Sequence, residues 1–159
     1  MRTVEELERI MTEPSPELID DVARLDGDIM LLGVGGKMGP TMAKMARRAV
    51  EAAGVQKRVI GVSRFSDAAL VRELNDAGIE TIAADLLDED ELAALPEVAN
   101  IIYLAGRKFG TTGQEHLSWA MNTYLPGRVA AKFRSSRIVA FSTGNVYPLT
   151  PVAWGGATE

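Results

Sequence analysis

The sequence predicts an α/β fold: a doubly wound parallel sheet with helices on both faces, preceded by a helical extension. Three observations predict it. Short apolar runs alternate with helical stretches along the chain. Those runs are rich in Ile, Val and Leu on both faces, as strands covered on two sides must be. A cluster of glycines sits where the first run gives way to the first long helical stretch. The 159 residues suffice for one domain with a sizeable core.

The elements follow in order. Val4, Leu7, Ile10 and Met11 recur at helical spacing, and Pro14 and Pro16 end that segment. Ser15 is a suitable N-cap and Pro16 a suitable first helical residue for a second segment with the stripe Leu18, Ile19, Val22 and Leu25. Residues 1–27 thus form the helical extension, and 28–159 the sheet domain. The strands are expected at 28–32, 58–63, 79–84, 100–105 and 137–141. Met38, Met42, Met45 and Ala49 share one face of the helix after the glycines, a stripe read as core packing, and Gly54 closes that helix. Residues 68–77 form a helix stopped by Gly78, and 89–95 a short helix with an acidic start. A long helix spans 114–133, with a disturbance expected at Pro126. The stretch after Tyr147 is rich in Pro and Gly and reads as loop.

Composition narrows the function. Hydrophobic residues make up 47% and charged residues 25%, an ordinary globular balance. The formal charge is −5, with no basic block, so nothing favours nucleic acid or an anionic membrane surface as a partner. No apolar run is long enough to span a bilayer, and the first residues lack the apolar core of an export signal. The expected location is therefore cytoplasmic. With no cysteine and only His116 as histidine, disulfides and thiolate sites are excluded, and no spacing supports a metal site.

The glycines carry the main chemical signal. Gly33, Gly36 and Gly39 form G-x-x-G-x-x-G between a strand and a helix. The first permits a tight turn. The second lets backbone N–H groups approach a pyrophosphate. The third lets helix and strand pack closely. Phosphates would then sit at the positive end of the helix dipole. Gly35 adds a fourth glycine and loosens the assignment. A glycine-rich turn without a ligand is the plainer alternative, but the flanking strand and helix are the context a Rossmann-type dinucleotide site requires.

The strand tips refine this reading. Such folds usually place an acid at the end of the second strand, about 20 residues past the glycines, for the ribose 2′-hydroxyl. Here that tip is Ser63-Arg64. A guanidinium attracts a 2′-phosphate that a carboxylate would repel, so NADP(H) is favoured over NAD(H), against the alternative of a plain surface arginine. Asp85 follows the third strand, where it can accept from the adenine amino group with Leu86 over the ring; the alternative is helix capping, a service Asp88 and Glu89 already supply. Small residues close the fourth strand at Leu104-Ala105-Gly106, letting a cofactor pass. Lys108 is either a ribose contact or a solvated loop lysine.

GVGGKMG, AADLLD, NIIYLAGRK, Asn122 in MNTYLPG, and FSTGNVYP occur in that order. On these segments, from about Asp28 onward, the chain resembles the extended short-chain dehydrogenases/reductases, and within them the NAD-dependent epimerase/dehydratase group. The resemblance implies roles. Gly33, Gly36 and Gly39, with the backbones of Lys37 and Met38, would hold the pyrophosphate. Asp85 and Leu86 would hold adenine. Leu104, Ala105, Gly106 and Lys108 would line the ribose and nicotinamide path, with Asn122 close to the cofactor. Thr143 matches the catalytic Ser/Thr. A small-molecule substrate is implied, such as a nucleotide sugar.

Two features depart from the pattern. The helical extension is additional, and would cap the sheet or support an oligomer such as a homodimer. The acid/base pair Tyr-x-x-x-Lys is absent: four residues past Tyr103, Tyr124 and Tyr147 stand Arg107, Arg128 and Pro151. In the family that pair lies downstream of the Val-Tyr segment, so a truncated Rossmann portion is expected. The competing function is a non-catalytic NAD(P)-binding sensor or interaction module.

Overall fold

Strand β1 (Ile29–Leu32) is buried at all four positions, because it is the central strand and carries helices on both faces. The computed structural model describes residues 3–108, 112–143 and 147–157. The other strands are β2 (Val59–Ser63), β3 (Glu80–Ala83), β4 (Asn100–Tyr103) and β5 (Arg137–Ala140). They form one five-stranded, wholly parallel sheet in the order β3-β2-β1-β4-β5. This is the Rossmann-type order, which reverses direction between β1 and β4. Each strand lies within two residues of its predicted span.

Helices α1 (Val4–Met11) and α2 (Pro16–Arg24) precede β1. Ser15 caps α2 as predicted, its Oγ accepting from the Leu18 N–H at 3.3 Å. Helices α3 (Gly39–Ala52) and α4 (Ala68–Asp76) cover one sheet face, with α2 beside them. Val22, Leu31, Val34, Val50, Leu74 and Ile79 form the core there. On the other face α5 (Glu89–Ala94), α6 (Glu115–Trp119) and α7 (Leu125–Lys132) accompany a core built from Met30, Ile60, Leu92, Tyr103, Val129 and Phe133. No helix among the described residues is long and apolar enough to cross a membrane.

Three expectations are corrected. The long helix is broken before Pro126, not at it: residues Ala120–Tyr124 form a π-helical turn in which the Leu125 N–H reaches back to the Ala120 carbonyl. Proline has no N–H to continue an α-helical ladder, so the widened turn precedes it, and Pro126 sits comfortably in the first turn of α7. The methionine stripe is core only in part: Ala49 is buried and Met42 packs against the α3-side core. Met38 is 50% exposed, and Met42 and Met45 border a groove over β4 and β5. Finally, β5 is not covered on both faces: Val139 is 61% exposed. The tail also holds a short 3₁₀ turn, Val152–Trp154, where only loop was expected.

Helix α1 docks by charge. Lys44 of α3 reaches Glu8 of α1 at 2.6 Å and Glu73 of α4 at 2.5 Å. Burial alone would lower the Lys44 pKa, but the two carboxylates outweigh it and hold the ammonium above its ordinary value. Arg48 donates to the Arg9 carbonyl at 2.9 Å, to Thr12 Oγ1 at 2.7 Å, and to Glu13.

Candidate dinucleotide site at the strand ends

All the strands are parallel, so the segments that follow their C-terminal ends meet at one edge of the sheet. The glycine turn lies there, beside the point where strand order reverses. Gly33 has φ +90°, and a Cβ on it would lie 2.7 Å from the Ala105 nitrogen and 2.8 Å from its Cα. The backbones after β1 and β4 therefore touch through this glycine. A Cβ on Gly39 would fall on the Val34 carbonyl oxygen, so the helix start packs directly on the turn. A Cβ on Gly36 would meet only the Gly33 oxygen, at 3.4 Å, leaving its outer side open. Gly35 proves specific: a Cβ there would lie 2.5 Å from Ser63 Oγ. The sequence carried no signal for that contact, since it joins two strand ends.

Helix α3 opens directly from the turn. Its N-cap, Met38, makes no side-chain capping bond, Pro40 occupies the first turn, and no acid stands there. The positive end of a 14-residue helix is thus left for an external anion. Lys37 and Met38 are exposed at this position.

The second and third strand ends adjoin. The Ala84 N–H donates to the Ser63 carbonyl at 2.9 Å. Arg64 is 78% exposed and its Nη1 stands 4.0 Å from Asp85 Oδ2. The other Asp85 oxygen accepts from the Leu87 N–H at 3.0 Å, and the Asp85 N–H donates to Glu91 Oε2 at 2.6 Å. Capping of α5 falls to Asp88, whose Oδ1 accepts from the Asp90 and Glu91 N–H groups. Leu86 is buried in the core of the α5 face and offers little side-chain surface to a ligand.

After β4, Leu104 and Ala105 are partly buried while Gly106 and Lys108 are exposed. Asn122, in the π-helical turn, holds this loop with both ends of its amide: Oδ1 accepts from the Arg107 N–H at 2.7 Å and Nδ2 donates to the Arg107 carbonyl at 2.8 Å. It lies 3.4 Å from where a Gly106 Cβ would stand. The turn that displaces the helical register also brings this amide to the loop, a pairing that spacing alone does not reveal. Asn122→Leu is expected to cost about 1 kcal/mol. It should also speed hydrogen exchange at the Arg107 amide, read by NMR, while exchange in β1 stays unchanged.

Past β5, the Phe141 N–H donates to the Tyr103 carbonyl at 3.0 Å, and Thr143 and Tyr147 are exposed. Residues 144–146, inside the motif around Thr143, lie outside the described residues.

No family model matches the chain, and no curated protein sequence matches it. Solved structures do match. The ADP-L-glycero-D-manno-heptose-6-epimerase of Helicobacter pylori superposes with TM-score 0.67 at 19% identity, over 84% of this chain and 44% of that one. The Bordetella bronchiseptica enzyme WbmF, solved with NAD+ and UDP, gives TM-score 0.56 at 16% identity, over 74% and 36%. A short-chain dehydrogenase/reductase superfamily protein from Agrobacterium tumefaciens, with bound NAD, gives 0.51 at 22%, over 76% and 34%. The chain spans less than half the length of each of these proteins. The likeness shows the Rossmann-type fold.

Proposed function

We propose that the chain binds a nicotinamide dinucleotide across the ends of β1 and β4, and that it is the cofactor-binding portion of an epimerase/dehydratase-type enzyme among the extended short-chain dehydrogenases/reductases. One observation carries this reading: the Gly33–Gly39 turn leads into a helix whose start is capped by no side chain, at the point where strand order reverses. The ordered segments through FSTGNVYP support the family, as do neighbours solved with NAD+.

In this reading the backbones at Gly36, Lys37 and Met38 take the pyrophosphate. Asp85 accepts from the adenine amino group, with the Leu86 backbone beside it. Leu104, Ala105 and Gly106 leave room for the cofactor, Lys108 reaches its ribose, and Asn122 holds the loop that bears them. When bound, the nicotinamide supplies or accepts hydride. The Thr143 hydroxyl orients the substrate oxygen, and a nucleotide sugar is the substrate class.

The cofactor is NADP(H) rather than NAD(H). The Arg64–Asp85 pair is long and exposed, so it contributes little, and Arg64 gives up little by turning to a 2′-phosphate. Ser63 stands beside it under Gly35, where its hydroxyl can donate to the same group. Calorimetry with NADPH and NADH tests this. A charge-assisted phosphate contact is worth roughly 1.5–3 kcal/mol. Arg64→Ala should therefore lose about tenfold or more in NADPH affinity and little in NADH affinity. Equal losses for both cofactors would sink the NADP(H) assignment.

A second reading, a dinucleotide-binding sensor or interaction module without catalysis, draws on the absence of Tyr-x-x-x-Lys from the chain. Both readings require cofactor binding, and turnover separates them.

A further inference from the structure

Among the described residues Phe65 alone, glycines apart, has a left-handed backbone, with φ +46°. For a bulky side chain that conformation is costly, and it persists only where the surroundings impose it. Here the ring's own packing imposes it. Phe65 is partly buried and packs against the α3-side core. Burial of the ring offsets the cost of the backbone. Strain of this kind collects at sites that need a fixed geometry.

The residue sits where the chain leaves β2 for α4. Three residues separate Ser63, the last of β2, from Asp67, the N-cap of α4, and Phe65 is the middle one. Both ends of this short link are held. The Ser63 carbonyl accepts from the Ala84 N–H at 2.9 Å, and the Asp67 carboxylate accepts from the Ala69 N–H at 2.8 Å. Arg64 therefore has a strand end on one side and an anchored ring on the other, while its own side chain is 78% exposed. Its Nη1 already stands 4.0 Å from Asp85 Oδ2, at the end of the adjoining strand. A solvated arginine gains nothing from a fixed backbone. One that must meet a phosphate loses less freedom on binding when its direction is set beforehand.

We infer that Phe65 is a positioning residue for cofactor choice: its packed ring fixes the left-handed turn, and the turn fixes the direction in which Arg64 leaves the backbone, along the edge where the 2′-phosphate is proposed to bind. The inference rests on the NADP(H) reading. It extends that reading from the residue that would touch the phosphate to the residue that aims it. Phe65 acts through Arg64, so its effect should fall on the cofactor that carries the 2′-phosphate and spare the one that does not.

Phe65→Gly and Phe65→Leu, made in the full chain, test it. Glycine accepts the left-handed backbone without strain but removes the anchor, so the two effects on stability oppose one another and the fold should persist. Leucine keeps an apolar anchor. In the free protein, NMR relaxation should show the order parameter of the Arg64 amide falling in Phe65→Gly from the rigid range, about 0.85, toward the flexible range below about 0.6. In calorimetry Phe65→Gly should weaken NADPH binding roughly 2–10-fold, the cost of ordering one long side chain, and leave NADH binding nearly unchanged. Phe65→Leu should keep the wild-type ratio of the two affinities. In an Arg64→Ala background, Phe65→Gly should not move that ratio further, because no guanidinium remains to be aimed. An Arg64 amide as ordered in Phe65→Gly as in the wild type overturns the inference. So does an equal loss for both cofactors, or a further fall in the ratio when Arg64 is already alanine. If Arg64→Ala by itself leaves the ratio unmoved, the NADP(H) reading fails and the inference fails with it, whereas a ratio moved by Arg64→Ala and not by Phe65→Gly overturns the inference alone.

Discussion

Gly33→Ala is expected to destabilise the fold by roughly 2–6 kcal/mol, from about 1–3 for a non-glycine residue at positive φ and about 1–3 for overpacking. The native φ is +90°, and the new Cβ would lie within 3.0 Å of three backbone atoms after β4, at Leu104 and Ala105. Backbone cannot rotate away as a side chain can. It is also tied in place, because the Leu104 N–H donates to the Leu32 carbonyl at 2.8 Å. Relief therefore requires β1 and β4 to part at the point where strand order reverses. Against a total stability of about 5–15 kcal/mol, that loss is large. Gly36→Ala is the control. Its Cβ would meet nothing closer than 3.4 Å, and its φ is not positive. Stability should change by less than about 1 kcal/mol. Dinucleotide affinity should nevertheless fall, because a methyl group would then stand where the pyrophosphate is proposed to approach. Urea denaturation and calorimetry on the two variants separate the glycine that shapes the turn from the one that faces a ligand. If Gly33→Ala unfolds at the wild-type urea concentration, the close approach of the two backbones is not a constraint.

The contrast shows what kind of information a sequence carries. Strand positions were legible because a strand buried on both faces must be a short, continuous apolar run, and IMLL, VIGVS and NIIY are such runs. The glycine turn was legible because it needs a residue type found nowhere else so regularly. What spacing does not tell is which way a stripe faces. Helical spacing identified the stripe Val4–Leu7–Ile10–Met11, but the cations that attract the opposite side of α1 are Lys44 and Arg48, far along the chain. The methionines of α3 were legible only in part: Met42 does pack against the core, but periodicity does not say that Met38 at the start of the stripe stands exposed. Val22 packs in the α3-side core, so α2 contributes to the domain that follows it, a contact only the folded chain reveals. Asn122 was singled out by resemblance, but its hold on the Arg107 backbone depends on a π-helical turn that no periodicity announces.

The chain alone is expected to bind the dinucleotide without turning over substrate at an enzymatic rate. Hydride transfer from a carbinol carbon or to a carbonyl carbon needs a group that moves the hydroxyl proton, and a threonine hydroxyl is too weak an acid and base to do so itself. The tyrosines are the natural candidates, and the structure separates them. The Tyr103 hydroxyl donates to the Met121 carbonyl at 3.4 Å, and burial pushes its pKa up to about 12. It is too well shielded to meet substrate and too weak an acid to ionise near neutrality. Tyr124 lies on the π-helical turn, its ring 5.5 Å from the Arg128 guanidinium carbon. Tyr124 and Tyr147 are both exposed, and Tyr147 is the one close in sequence to Thr143. None of the three stands four residues before a lysine, the arrangement that would place a cation beside the phenol and lower its pKa. Positioned acid–base catalysis typically contributes ~10²–10⁴-fold. Turnover should therefore lie at least ~10²-fold below the ordinary enzymatic range of about 1–10³ s⁻¹. NADPH absorbance against a panel of nucleotide sugars measures it, with product analysis alongside, because an epimerase can return its hydride with no net change in absorbance. Turnover within the ordinary range would mean that an acid/base does reside in this chain. Tyr147→Phe is then the variant to make: loss of the rate with cofactor affinity intact would assign the proton to that phenol.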